Sequence, residues 1–288
     1  MSRQSYNIKG KTVLITGATS GIGKVTAFEL ARMGAALVIA GRNEAKCKAT
    51  VEEIARETGN TSLEYLVANL ALMSEVRKLA DEFTKRHEKL HILINNAGAI
   101  YYRPYETSEE LELTFALNYL SPFLLTNLLL EVIERSAPAR IINVSSGIHK
   151  AGKINFEDLQ ADDGYSAFKA YGQSKLANVM FTYELARRIE GKGVTVNAMN
   201  PGFTRSGFGL NNPGFMKTFS RLSAVIWGHS VEKGAETLIW LASSPAVQGV
   251  TGLYFEDREA VLSSRASYDQ SAGRRLWKTS EELIRSRS

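Results

Sequence analysis

Two tyrosine–lysine pairs stand in the stretch GYSAFKAYGQSK (164–175): Tyr165 with Lys169, and Tyr171 with Lys175. Four residues apart on a helix, either pair shares one face, with an ammonium beside a phenol. A phenol with its ordinary pKa of ~10 exchanges protons poorly with an alcohol near neutral pH. A neighbouring cation stabilises the phenolate and draws that value down. The chemistry on offer is general acid or base catalysis at an alcohol or carbonyl oxygen. Tyr171 is favoured because it opens the uninterrupted apolar-periodic run SKLANVMFTYELARR, whereas Gly164 and Gly172 flank a less regular start for the Tyr165 register. Tyr165 is expected on a loop or a pocket wall.

A second stretch, TGATSGIG (16–23), spaces Gly17, Gly21 and Gly23 as G-x-x-x-G-x-G. Glycines there permit a tight turn and let main-chain N–H groups approach a pyrophosphate at a helix N-terminus. The loop follows a β-rich apolar run and opens a helix-like one, the context a dinucleotide site needs. Gly17, Thr19, Ser20, Gly21, Ile22 and Gly23 are its candidate cofactor-binding residues. The end of the second strand chooses the cofactor: an acid there takes the ribose hydroxyls of NAD, a base the 2′-phosphate of NADP. Here IAGRN places Gly41 where the acid would stand, followed by Arg42 and Asn43. Arg42 can pair with the 2′-phosphate and lie against the adenine, so NADP(H) is expected in preference to NAD(H).

The elements that must carry these residues alternate along the chain. Strand-like runs are TVLIT (12–16), ALVIA (36–40), LEYLVA (63–68), HILIN (91–95), RIINVS (140–145), VTVNAMN (194–200) and GLYFE (252–256). Between them lie helical patterns. The first closes at Gly34, the next runs from an Asn43 cap to about Thr58, and a third spans about Ser74 to Arg86. A long apolar helix runs from near Ser108 to about Arg135 with Pro122 inside it, where a kink is possible. The Tyr171 helix ends near Gly191, and another lies near 231–243. Strands apolar throughout are those buried on both faces of a parallel sheet. The expected fold class is α/β: a single-domain, Rossmann-like, doubly wound parallel sheet of about seven strands flanked by helices. No interdomain linker or internal repeat is visible. One domain over 1–288 is expected, with a core at about 10–255, a lid at about 203–230 and a C-terminal helical tail at about 256–288.

The 288 residues are 44% hydrophobic and 23% charged, the profile of a globular protein. No apolar run approaches the ~20 residues of a membrane span, and MSRQSYNIKGKT lacks the apolar core of a secretory signal. The one cysteine, Cys47, fits a reducing compartment, so a cytoplasmic location is expected. The net charge of +5 favours anionic small molecules. Its Lys and Arg form no run of five or six, so a nucleic-acid partner is not expected.

TGATSGIG, NNAG (95–98), NVSS (143–146), YGQSK (171–175) and NPG (200–202) stand in one order. Together they closely resemble the short-chain dehydrogenase/reductase family over roughly residues 10 to 255. NYLSPFLLTNLLL and YGQSKLANVMF are similar to its branch of retinol dehydrogenases and related carbonyl reductases. The resemblance implies Tyr171 as general acid or base, with Ser174 before Lys175 matching the usual Y-x-x-S-K, and hydride transfer from the nicotinamide. It implies Ser146 as the hydrogen-bond partner of the substrate oxygen. Ser145 is the alternative, and strand alternation leaves one of the two facing the site. It also implies Asn118 as the residue that kinks the central helix and holds a water relaying protons from the lysine. Further cofactor contacts map onto Asn69 and Leu70, then Asn96, Ala97 and Gly98 beside the ribose. Tyr171 and Lys175 join these, with Pro201, Gly202, Thr204 and Ser206 beside the carboxamide. Two positions depart from the pattern: Asn69 replaces an aspartate, and Thr204 a valine.

HEKLH (87–91) matches a zinc-protease pattern that needs both histidines on one helix face. Here His87 ends a helix and His91 begins a strand, so no metal is expected; His149 and His229 stand isolated. Phe203, Phe208, Phe215, Met216, Phe219 and Trp227 could line a lid over a bulky, largely apolar aldehyde, ketone or alcohol. The resemblance implies a possible homodimer or homotetramer through the two central helices. The C-terminal YDQSAGRRLWKTSEELIRSRS reads as an exposed helix. Other readings are a catalytically idle dinucleotide-binding sensor or interaction protein, and another reaction on the same scaffold, such as double-bond reduction.

Overall fold

A computed structural model of the chain describes residues 7–202 and 230–287. Most of the expected lid, with Thr204, Ser206 and the six lid side chains, lies outside the described residues. The order is β1 (Thr12–Thr16), α1 (Gly21–Arg32), β2 (Ala36–Gly41), α2 (Glu44–Thr58), β3 (Leu63–Val67), α3 (Met73–Arg86) and β4 (Ile92–Asn95). It continues with α4 (Leu113–Arg135), β5 (Ala139–Val144), α5 (Ala167–Arg188), β6 (Val194–Met199), α6 (Val231–Ser243), β7 (Tyr254–Glu256), β8 (Glu259–Ala260) and α7 (Gln270–Ser286).

The strands form one sheet in the order β3-β2-β1-β4-β5-β6-β7-β8. All pairings are parallel except β7 with β8. Two-residue alternation divides the strand side chains between two cores. Leu14, Leu93 and Ile141 join one cluster, and Val13, Ile15, Ile92, Ile94 and Ile142 join the other. Both faces are buried, which is why these strands read as continuous apolar runs. The seven expected strands are present within a residue or two. β8 was not foreseen: its two residues, Glu259 and Ala260, are both exposed and carry no apolar pattern. Chain order reverses between β1 and β4, opening a crevice at the carboxyl ends of the strands, where ligands of such sheets bind.

The long apolar helix begins at Leu113, later than its sequence pattern suggests, because Glu112 caps it by accepting from the N–H groups of Thr114 and Phe115. Residues Ala116–Leu120 form a π-helical turn. Such a turn inserts one residue into the helical ladder, a known cause of kinks, and Pro122 follows it in the first turn of the resumed α-helix. Among the described residues Leu113–Arg135, 23 residues long, is long and apolar enough to cross a membrane by length and composition, its most apolar 18-residue window having a mean hydropathy of 1.4. The sequence reading passed over it because Asn118, Ser121, Thr126 and Asn127 interrupt the run without adding charge. In the fold, 72% of its most apolar window is buried.

The C-terminal helix is docked, not exposed. Leu276, Trp277, Ser280 and Ile284 are buried on one face of α7, the spacing of an amphipathic helix. Trp277 lies 5.0 Å from the Phe123 ring and 5.7 Å from Phe181, with the Arg188 guanidinium 4.0 Å over its own ring. Every residue of α5 from Tyr171 to Leu185 is buried, and α7 covers part of it.

Candidate active site

A cleft of about 950 Å³ runs along the carboxyl ends of the central strands. At one end is the glycine loop. Gly17 has a φ of +69°, and a Cβ there would fall 2.9 Å from the Ala97 Cα. A Cβ on Gly23 would meet Asn96 Nδ2 at 2.4 Å and the Gly17 carbonyl oxygen at 2.5 Å. Both positions admit only glycine without displacing the main chain. Asn96 Nδ2 donates to the Thr16 and Gly17 carbonyls at 2.9 and 3.0 Å. That carboxamide thus shapes the loop as well as lining the cleft.

Ser20, at the N-cap of α1, makes no side-chain cap, and the first turn holds no acidic residue. The helix presents uncapped N–H groups and its positive dipole end to the cleft. This cradle fits a dinucleotide pyrophosphate.

Beyond the loop the wall is formed by Arg42, Asn43, Lys46, Asn69 and Leu70. Asn43 Oδ1 accepts from the Lys46 N–H at 2.9 Å, so the same residue caps α2 as expected. Lys46 adds a second cation beside Arg42. Its position one turn into α2 behind an Asn cap was a usable signal that the sequence reading did not take up. Tyr101 was missed as well. Burial pushes its phenol up, while the Arg42 guanidinium, which it hydrogen-bonds, opposes that.

At the other end the predicted catalytic side chains converge. Ser146 and Tyr171 are hydrogen-bonded through their side chains. Lys175 Nζ lies 5.6 Å from the Tyr171 ring centre and donates to the Val144 carbonyl at 2.9 Å. Ser145 is turned away, its hydroxyl donating to the Lys175 carbonyl at 2.9 Å; of the two serines, Ser146 is the one that pairs with Tyr171. Asn118 stands behind the cleft in the π turn. Its Oδ1 accepts from Ala99 N–H and its Nδ2 donates to the Ala99 carbonyl, both at 2.9 Å. Its own carbonyl accepts from Asn178 Nδ2 at 2.8 Å. A Cβ on Gly98 would touch both Asn118 Oδ1 (3.2 Å) and Lys175 Nζ (3.3 Å), so the glycine lets these two groups approach.

One expectation is reversed in the protein by itself. Burial pushes the Tyr171 phenol above its ordinary range, and the Ser146 hydrogen bond only partly opposes this. Burial also pushes Lys175 down to about 8. Desolvation penalises both charged forms, and the ammonium is directed at Val144, so the lysine does not draw the phenol down here.

All other cofactor candidates among the described residues line the cleft: Thr19, Gly21, Ile22, Ala97, Pro201 and Gly202. Tyr165 stands in the loop before α5, as expected, and does not line the cleft; its hydroxyl donates to the Tyr101 carbonyl at 2.6 Å and it packs against the cluster of Ile100, Ala167 and Tyr171. The two histidines of HEKLH make separate contacts. His87 packs on Phe83 with its ring centre 4.8 Å away, and His91 Nδ1 accepts from Thr12 N–H at 3.0 Å. His229 lies outside the described residues.

This fold and these residues define a dinucleotide-dependent oxidoreductase class. A family model described as short chain dehydrogenase matches residues 11–212, and the chain belongs to that family. Within it the chain falls in the retinol dehydrogenase-like branch. It is 41% identical to human retinol dehydrogenase 14 over 96% of this chain and 86% of that protein. A crystal structure of an uncharacterized protein from Mycobacterium paratuberculosis shares the fold with a TM-score of 0.77 and 32% identity, covering 98% of this chain and 96% of that one. The RhlG/NADP active-site complex of Pseudomonas aeruginosa is similar at a TM-score of 0.68 and 28% identity, covering 88% and 97%.

Proposed function

We propose that the protein is an NADP(H)-dependent oxidoreductase that interconverts a carbonyl and an alcohol on a bulky, apolar substrate. The observation that carries this reading is the meeting of Tyr171, Ser146 and Lys175 in one cleft whose other end is the uncapped start of α1. The loop residues 17–23 would hold the pyrophosphate, and Arg42 with Lys46 would take the 2′-phosphate. The NADP named with the Pseudomonas aeruginosa relative supports this choice. When bound, the nicotinamide supplies the hydride and, in its oxidised form, a positive ring charge.

The chain's own residues handle the proton. Ser146 Oγ donates to the substrate oxygen and orients it. Tyr171 Oη gives that oxygen its proton in reduction and takes one in oxidation. Burial keeps the phenol protonated, the form that reduction of a carbonyl requires. Lys175 Nζ, together with the ring charge of the oxidised cofactor, would stabilise the phenolate left behind, that added charge offsetting the burial of the phenol. Asn118 fixes the Ala99 segment and, through the π turn, the wall behind Gly98.

The substrate end is apolar. Ile100, Tyr102, Leu113, Leu117, Ile148 and Phe168 line it, and Tyr102 and Phe168 meet edge-on at 6.3 Å. Such a wall suits a long or ring-bearing apolar aldehyde or ketone, in keeping with the name of the retinol dehydrogenase relative. The single thiol, Cys47, is free and buried, which fits a reducing compartment such as the cytoplasm.

The test is NADPH consumption across a panel of apolar aldehydes, ketones and enones. Tyr171→Phe is expected to lower kcat at least ~1000-fold while NADPH still binds. Undiminished turnover in that variant removes the assignment. Arg42→Ala is expected to weaken NADP(H) much more than NAD(H); equal losses remove the phosphate role.

A further inference from the structure

His149 follows the catalytic serine by three residues, and its ring is completely buried. Both ring nitrogens are engaged. Nε2 stands 3.0 Å from the main-chain N of Ser264, and Nδ1 stands 2.8 Å from the Ser146 carbonyl oxygen. A main-chain N–H can only donate, so Nε2 carries the lone pair. The proton of the neutral ring is then on Nδ1, donated to Ser146. The ring packs against Tyr254 with centres 4.6 Å apart and planes tilted by 50°. Ser146 is held in an extended conformation, φ −163° and ψ 154°, and its carbonyl also accepts the His149 main-chain N–H at 3.1 Å.

The far end of this connection is fixed to the helix that carries Tyr171. Ser263 Oγ lies 2.7 Å from the Tyr183 hydroxyl and 2.7 Å from Ser267 Oγ. Tyr268 accepts from the Ser263 N–H at 3.2 Å and stacks on Tyr183 at 5.3 Å. Tyr183 belongs to α5, three turns beyond Tyr171. The chain of contacts therefore leads from α5 through the C-terminal segment and His149 to the main chain of Ser146.

We propose that His149 is a positioning residue for Ser146, and that the main-chain N–H of Ser264 sets the tautomer in which it acts. The ring ties the serine's backbone to the tyrosine's helix, so the two hydroxyls keep one relative placement. The proposal rests on the reading of Ser146 as the residue that binds the substrate oxygen.

Ser264 allows a sharp test. Its φ is −65°, the value proline imposes, and proline lacks the N–H. Its hydroxyl is buried with no hydrogen-bond partner, so Ser264→Ala is the matched control. With NADPH and an apolar aldehyde, Ser264→Ala is expected to keep wild-type kcat. Ser264→Pro is expected to lower kcat about 10-fold or more with KM for NADPH unchanged, since small misplacements of reacting groups reach ~100-fold. Nitrogen-15 shifts of the His149 ring should show protonation at Nδ1 in the wild type and a tautomer mixture in Ser264→Pro. His149→Phe keeps the ring against Tyr254 and loses both hydrogen bonds. His149→Asn can keep the donor to Ser146, and should recover kcat relative to His149→Phe whether or not the proline variant folds. Ser264→Pro or His149→Phe turning over at the wild-type rate overturns the proposal, as does a ring protonated at Nε2. Ser146→Ala separates the two readings. A loss there without a loss in the His149 variants removes the histidine's role alone, while full activity in Ser146→Ala removes the serine's role as well.

Discussion

The two ends of the cleft are built from different materials. The nucleotide end, where β1, β2 and β4 finish, is largely main chain: glycines at 17, 21 and 23, an uncapped helix start and one asparagine holding two carbonyls. The catalytic end is made of buried polar side chains, among them Asn118, Ser145, Ser174, Lys175 and Asn178, that bond mostly to main-chain groups of other segments. A main-chain site is defined by what must be absent, a Cβ. A side-chain site is defined by its supports, and those come from distant parts of the chain.

If that contrast is sound, the nucleotide end should break on adding a single carbon. Gly23→Ala places a methyl 2.4 Å from Asn96 Nδ2 and 2.5 Å from the Gly17 carbonyl oxygen. Relieving such overlaps costs about 1–3 kcal/mol or more, and the Asn96 amide must give up its bonds to the loop carbonyls. Loss of measurable NADPH binding by titration calorimetry is expected. The sheet should survive, with the far-ultraviolet circular dichroism unchanged. Wild-type affinity in this variant would show that the loop is not the cradle described.

The same contrast explains what could be read in the sequence. Glycine spacing after an apolar strand reports a local geometric need, so the loop, the α1 start and the position of Arg42 were legible. Tyr171, Ser146 and Lys175 were legible because their spacing matches a known pattern. Their scaffold was not. Ser264 and His149 are 115 residues apart, and Tyr119 bonds Ser280 across 161; no local periodicity encodes such pairings. The tail looked exposed because its apolar residues are few, yet Leu276, Trp277 and Ile284 fall on one face. At Tyr171 the sequence shows the neighbouring charge but not the burial that outweighs it.

Breaking a support of the catalytic end should act through stability. Trp277→Ala leaves the hole between Phe123, Phe181 and Arg188 that the indole fills. The expected loss is about 3–5 kcal/mol, a fall in Tm of roughly 6–20 °C at ~2–4 °C per kcal/mol. NADPH affinity of the folded fraction should stay near the wild-type value, because the glycine loop is held by Asn96 and not by a hydrogen bond from α7. A shift in Tm below ~2 °C would mean that the tail is not part of the catalytic scaffold.

The smallest effect expected is a gain. Lys175 is buried, and its pKa is pushed from 10.5 to about 8 by desolvation. The unfolded chain holds that proton up to pH ~10.5, whereas the folded protein releases it near pH 8. Between those values the unfolded state binds more protons, so wild-type stability rises with pH across this window. Below pH 8 the folded state carries the whole penalty, on the order of 3 kcal/mol. Lys175→Met removes the charge and also the hydrogen bond to Val144, worth about 1–2 kcal/mol. The cofactor-free variant should therefore be inactive yet melt a few degrees higher at pH 7. Its advantage should shrink as pH rises from 8 to 10.5. Thermal melts of both proteins from pH 6 to 10.5 read this directly. A gap that is constant across the series would mean that the ammonium is not penalised by burial, and that the catalytic end does not trade stability for a poised charge.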